Sequence, residues 1–128
     1  MITAYLDASA LVRLAIDEPE TNAVRTFIGQ FDQVATSRIG LVETRRVVKR
    51  VGGDMTRASE VLASVGPIEL DAAIAASAAA VDPSTLKTLD AIHLASALAL
   101  YAVDAFVTYD ERLAVAARAA GLTVASPA

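Results

Sequence analysis

Short apolar runs alternate with stretches of helical periodicity along this chain, and that alternation sets the fold class. The runs are Ile2–Asp7, Gln33–Thr36, Ile68–Leu70, Ala105–Thr108 and Leu122–Ala125. Helices are expected over Ala8–Ile16, stopped by Asp17-Glu18-Pro19, and over Glu20–Phe31, where Val24, Phe27, Ile28 and Phe31 recur at helical spacing. Three more cover Ile39–Val51, ended by Gly52-Gly53, then Asp54–Val65, closed by Gly66-Pro67, then the alanine-rich Asp71–Val81. Thr88–Ala102 is apolar almost all round, and Asp110–Ala120 ends at Gly121. Strands alternating with helices predict an α/β fold, a three-layer α/β/α sandwich around a short-stranded parallel sheet. No repeat, low-complexity tract or linker interrupts the 128 residues, so one domain spanning 1–128 is expected.

Composition removes several chemistries. With no cysteine there is no disulfide framework, thiolate zinc site or cysteine nucleophile, and one histidine cannot make a His-rich metal centre. Eleven basic against fifteen acidic residues give a net charge of −4, so nucleic-acid binding would need a local basic patch or a bound cation. The start, Met1 to Leu6, has no basic segment, and Asp7 interrupts any apolar leader core. The uncharged run Ala91–Val103 falls short of the about 20 apolar residues that span a bilayer. A soluble, cytoplasmic protein without membrane association is expected.

In open α/β sheets, chemistry gathers beyond the carboxyl ends of the strands. Two strand ends carry acids there: Asp7 after the first and Asp110 just past Thr108. Each suits a helix N-cap as well as a site. Glu43 sits at the border of its helix, between the apolar side (Leu41, Thr44, Val48, Val51) and a basic side (Arg45, Arg46, Lys49, Arg50). It suits either a surface pair with Arg46 or the acidic rim of a groove with phosphate-binding cations beside it. Asp90 opens the apolar helix, with Thr88 as the expected cap. It is either a dipole-stabilising acid or a carboxylate facing a site, where burial would demand a partner or a metal. His93 is expected to donate a structural hydrogen bond rather than act as general base. Glu111 is expected to point away as first-turn charge. No glycine-rich phosphate loop follows any strand.

Taken together, these acids resemble the pattern of PIN domains, in particular the VapC-type toxin ribonucleases of type II toxin–antitoxin pairs. The likeness runs through Tyr5-Leu6-Asp7-Ala8-Ser9, Glu18-Pro19, Glu43-Thr44-Arg45-Arg46, Leu89-Asp90-Ala91-Ile92-His93-Leu94-Ala95 and Phe106-Val107-Thr108-Tyr109-Asp110-Glu111-Arg112-Leu113. The resemblance implies a PIN-like fold, and Asp7, Glu43, Asp90 and Asp110 as the acidic catalytic and metal-binding residues. Ser9 and Thr108 match positions where hydroxyls line the site. It also implies an RNA substrate, a 5′-phosphate product and a cognate antitoxin partner.

Four acids without a catalytic cysteine or histidine pair suit Mg²⁺ or Mn²⁺, since hard cations choose oxygen ligands. Two carboxylates about 4 Å apart repel by about 4 kcal/mol at an effective dielectric near 20, which a divalent ion offsets. Metal-assisted phosphodiester hydrolysis is the chemistry expected, with Arg46, Lys49, Arg50 and Arg112 as candidate phosphate contacts. A response-regulator receiver would need a second acid beside Asp7, where Ala8 stands. A haloacid-dehalogenase phosphatase would need an acid at Ser9. A catalytically silent PIN-like binding module, or an RNA-processing factor, is the alternative outside toxin action. The charge-free stretch Ala91–Val103 offers a homodimer contact.

Overall fold

The computed structural model describes residues 1–128. In chain order the elements are β1 (Thr3–Leu6), α1 (Ala8–Ala15), α2 (Thr21–Ile28), β2 (Gln33–Ser37), α3 (Arg38–Arg50) and α4 (Met55–Leu62). They continue with β3 (Gly66–Ile68), α5 (Ala72–Ala80), α6 (Thr88–Leu98), β4 (Ala105–Val107), α7 (Glu111–Ala119) and β5 (Val124–Ala125). All strands pair in parallel in the order β3-β2-β1-β4-β5. The chain builds outward from β1 to β3, then crosses to the other side of β1 to lay down β4 and β5. The β1–β4 seam is therefore the point where the winding reverses, the place in such sheets where a crevice opens for ligands.

Side-chain alternation along the strands divides the core into two layers. Ala4, Leu6 and Val107 face Leu11, Leu14, Val24 and Leu62 from α1, α2 and α4. Tyr5 and Phe106 face the opposite way, onto Leu94 and Ala97 of α6 and Leu113 and Ala116 of α7. Both faces are covered, so the architecture is the expected three-layer α/β/α sandwich. A smaller cluster, Ala15, Val48 and Ala58, locks α1, α3 and α4 together. Burying each large aliphatic side chain contributes about 1.5–3 kcal/mol.

Aspartates start the helices. Asp7, Asp54, Asp71 and Asp110 each accept backbone N–H bonds as N-caps, and Ser37 does so for α3. At the other end of α3, Gly52 takes φ +70, the left-handed conformation that closes a helix.

Three expectations are corrected. Helix α6 is capped by Lys87, without a side-chain bond, rather than by Thr88. The Ala91 N–H reaches Lys87 O at 2.8 Å, which draws Thr88 into the first turn. Strand β3 begins at Gly66 rather than Ile68, with Pro67 inside it; a residue that cannot donate is tolerated because β3 is an edge strand paired only to β2. Finally, α6 stops at Leu98, and every residue from Ala91 to Ala97 is buried within this same chain, against α5, α7 and β2. The apolar character of Ala91–Ala97 is explained by intramolecular packing, while Leu98 and Tyr101, further along the expected Ala91–Val103 contact, remain exposed. No helix is long and apolar enough to cross a membrane.

Candidate active site at the carboxyl ends of β1 and β4

Asp7 ends β1 at the seam, where its N–H still pairs with Val107 O at 3.2 Å. It is only 3% exposed. Its Oδ1 accepts the Ser9 hydroxyl at 2.6 Å and the Ala10 N–H at 3.0 Å, and its Oδ2 accepts the Thr108 hydroxyl at 2.6 Å. Both hydroxyls are aimed by the loop after β4. Tyr109 N–H donates to Ser9 Oγ at 2.9 Å, and Asp110 N–H donates to Thr108 Oγ1 at 3.0 Å. A hydroxyl has one proton to give, so each is committed to Asp7. Arg13 steadies this turn, donating to Ser9 O at 2.9 Å while its guanidinium lies 4.1 Å above the Tyr109 ring. Burial raises the Asp7 pKa, and the bonds from Ser9 and Thr108 oppose that rise.

Asp110 is both the α7 cap, accepting from Leu113 N–H at 2.9 Å, and a wall of a cavity of about 380 Å³. Asp90, in the first turn of α6, lines the same cavity with Thr85, Leu86, Lys87, Glu111 and Arg112. Glu111 thus faces the cavity instead of pointing away. Burial raises the Asp90 pKa, and the charges of Asp110, Asp7 and Glu43 raise it further. No bonded donor is among the groups that tune it; Asp90 differs in this from Asp7. A separate cavity of about 520 Å³ between α5 and α6 is mostly apolar, and none of the four acids lines it.

Glu43 enters from α3. Its Oε1 lies 2.7 Å from His93 Nε2, with the histidine 1% and the glutamate 23% exposed. The surface pair with Arg46 is not formed, because the carboxylate turns inward to the ring. Arg46, Lys49 and Arg50 are exposed, outside the acidic cavity. Arg46 and Arg50 continue the Glu43 face about 4.5 and 10 Å further along the helix axis, while Lys49 is turned well off that face. Arg112 is exposed on the cavity wall beside Asp110.

Sequence reasoning did not single out Lys87 and Thr85 as neighbours of Asp90 and Asp110, nor Tyr5 as the second partner of His93. Tyr5 carried one signal: a phenol on a strand expected to be buried on both faces needs a partner for its hydroxyl.

The donor set tests the fit of a cation. It consists of carboxylate and hydroxyl oxygens, the ligands of hard divalent ions. The carboxylates are near enough to perturb one another, yet no three His, Asp or Glu side chains enclose a single point. That openness suits Mg²⁺, which keeps several waters and is commonly held through one or two carboxylates. The residues present fit such an ion.

A family model described as the PIN domain matches residues 4–119. The chain belongs to the PIN-domain family, and within it stands with proteins named Ribonuclease VapC. Ribonuclease VapC47 of Mycobacterium tuberculosis (strain CDC 1551 / Oshkosh) is 43% identical over 130 residues, spanning 96% of each chain. Ribonuclease VapC46 of Mycobacterium tuberculosis (strain ATCC 25618 / H37Rv) is 35% identical over 130 residues, spanning 99% of each. Among solved structures, Mycobacterium tuberculosis VapC20, described as a Sarcin-Ricin loop cleaving toxin, superposes with a TM-score of 0.75 at 18% identity, covering 97% of this chain and 99% of that one. A toxin-antitoxin complex from Klebsiella pneumoniae gives 0.75 at 23% identity, covering 98% of both chains. At those identities the structural likeness speaks for the fold.

Proposed function

We propose that this protein is an endoribonuclease, the toxin of a toxin–antitoxin pair, in which Asp7, Glu43, Asp90 and Asp110 hold Mg²⁺ or Mn²⁺ for RNA phosphodiester hydrolysis. When bound, such an ion lowers the pKa of a coordinated water and polarises a phosphoryl oxygen. The chain's own residues divide the remaining work. Ser9 and Thr108 fix the orientation of the Asp7 carboxylate through two hydroxyl bonds of 2.6 Å. Asp110 is anchored through Oδ1 to the α7 N-terminus. Lys87 and Arg112 flank Asp90 and Asp110 in the cavity, which supports assigning them to the phosphates of a bound strand. Arg46 and Arg50, with Lys49 at their margin, are the contacts proposed for the RNA backbone further out; such contacts position without specifying sequence.

The observation that carries this reading is Asp90. A half-buried carboxylate that feels the charges of Asp110, Asp7 and Glu43 is unfavourable by itself, and burial first and then those charges raise its pKa. A divalent ion turns that repulsion into ligation. The names of the relatives, ribonucleases all, supply the substrate class. The test is incubation of a labelled RNA with Mg²⁺, with Mn²⁺ and with EDTA. Internal cleavage leaving 5′-phosphate ends is expected with metal only, and is expected to vanish in Asp90→Asn and Asp110→Asn. Binding of RNA without cleavage under any divalent ion would replace the enzyme with the binding-module alternative.

The partner proposed is a cognate antitoxin, as in the Klebsiella pneumoniae complex and the VapBC2 complex of Rickettsia felis bound to a DNA fragment from their promoter. Co-expression with the neighbouring gene product is expected to relieve growth arrest. Cytoplasmic residence and a homodimer belong to the same proposal, the dimer using a surface other than the buried stretch of α6.

A further inference from the structure

We propose that Tyr5 and His93 are positioning residues that aim Glu43 at the acidic cluster, a role that rests on the reading of Glu43 as a metal ligand. The three side chains form one buried line from the centre of the sheet to α3. Ser37 N–H donates to Tyr5 Oη at 3.1 Å, Tyr5 Oη lies 2.7 Å from His93 Nδ1, and His93 Nε2 lies 2.7 Å from Glu43 Oε1. The direction of each bond follows from the inventory of protons. A carboxylate only accepts, so the ring N–H that faces Glu43 is the one at Nε2, and in the neutral ring Nδ1 is then the acceptor of the Tyr5 hydroxyl proton. A donor to a carboxylate makes a charge-assisted bond, stronger than a neutral one.

Packing confines the ring on both sides. Tyr5 meets His93 edge-on at 5.9 Å and stacks on Phe106 at 5.3 Å. On the far side α3 crosses at Gly40, where an added Cβ would stand 3.0 Å from His93 Cε1 and 2.5 Å from Thr36 Oγ1. Only a bare Cα lets α3 lie this near. Glu43, three residues on and on the same face, then falls within reach of Nε2. The bond occupies Oε1 and leaves Oε2 for the site. The arrangement inverts the usual second shell, in which a carboxylate orients a metal-ligating histidine; here a histidine orients a carboxylate.

The experiment uses the full chain and two readouts. Mn²⁺ affinity is measured by the free-ion EPR signal, and tautomer by long-range ¹H–¹⁵N correlation of the metal-free protein; His93 is the sole histidine, so assignment is direct. His93→Leu is expected to weaken Mn²⁺ binding at least tenfold, in the range typical of second-shell losses. His93→Gln, whose amide can donate to Oε1, is expected to recover affinity to within about threefold of the parent. In cleavage assays kcat should fall in His93→Leu with KM for RNA unchanged. The parent ring should appear as the Nε2–H tautomer, with a slowly exchanging Nε2 proton whose shift moves in Glu43→Gln. Parent-like Mn²⁺ affinity in His93→Leu alongside weak binding in Glu43→Gln overturns the positioning role and leaves the nuclease reading standing. Undiminished Mn²⁺ binding in Glu43→Gln overturns both the ligand assignment and this inference. Should His93→Leu not fold, His93→Gln and the tautomer decide. An Nδ1–H ring, or His93→Gln binding Mn²⁺ tenfold more weakly than the parent, overturns the proposal.

Discussion

Thr108 gives its hydroxyl proton to Asp7 Oδ2 at 2.6 Å and takes the N–H of Asp110 at 3.0 Å, so one side chain ties together the acids of two strand ends. Thr108→Val preserves shape and removes both bonds. A buried carboxylate then loses a donor and a backbone N–H loses its acceptor, which together should cost about 1–3 kcal/mol. Urea unfolding in EDTA checks this. A loss below about 0.5 kcal/mol would mean that water replaces the hydroxyl and that Asp7 is not held by it.

The acids should also leave a mark on stability against pH. Burial raises the folded-state pKa of Asp7, and burial plus the charges of Asp110, Asp7 and Glu43 raise that of Asp90. In the unfolded chain an aspartate ionises near 3.9. Below that value both states hold the proton and no penalty exists. As pH climbs through it the folded state binds more protons than the unfolded, so stability falls, and the penalty is complete once the raised folded values are passed. Asp17 and Glu69, whose pKa values are lowered by hydrogen bonds from Arg57 and Arg38, act in the opposite sense but are exposed pairs with little effect. Thermal melts in EDTA should thus show the parent losing stability from mildly acidic to neutral pH more steeply than Asp90→Asn.

The same variant separates ligand from dipole residue. An ion that binds only the folded state adds RT ln(1 + [L]/Kd), about 2.7 kcal/mol at one hundred times Kd. Asp90→Asn should equal or exceed the parent Tm without metal and lose most of the Mg²⁺ or Mn²⁺ shift. A full shift in Asp90→Asn would reduce Asp90 to a first-turn charge.

Gly40→Ala should act at a distance from any acid. Its new methyl meets Thr36 Oγ1, which is fully buried and bonded to Leu6 O at 2.7 Å, and the His93 ring. Neither can withdraw, so α3 must move. A cost of about 1–3 kcal/mol is expected, the range of overpacked cores. A melt of Gly40→Ala superimposing on the parent would show that α3 shifts freely.

What could be read in advance followed local rules. Asp7 and Asp110 suited both cap and site in the sequence because in a βα unit the strand end and the helix N-cap are the same place, and the structure shows both capping. The α6 pattern indicated burial, but an all-round apolar helix looks alike whether its cover is its own chain or another. The Glu43–His93 bond was hidden for a different reason. It joins residues fifty apart, and it depends on a close approach at Gly40 that no periodicity records. The helical wheel offered Arg46 as the nearest partner, and tertiary packing supplied a better one. Pro67 misled likewise: it stops helices generally, and its tolerance in β3 follows only from that strand lying at an edge.

The basic side of α3 makes a graded prediction. With a net charge of −4 the whole molecule repels RNA, so attraction must come from local cations. Arg46 and Arg50 follow Glu43 along one face, Arg45 lies on the opposite one, and none of the three is in an ion pair. Each phosphate neutralised on a single strand contributes about −0.7 to the slope of log K against log salt. Measured in an Asp90→Asn background, where cleavage is absent, the double substitution Arg46→Ala with Arg50→Ala should make the slope shallower by about 1.4. Arg45→Ala should leave it unchanged. Equal effects from Arg45 and from Arg46 would mean that the cations act as a diffuse halo, and the path of the RNA along the Glu43 face of α3 would have to be abandoned.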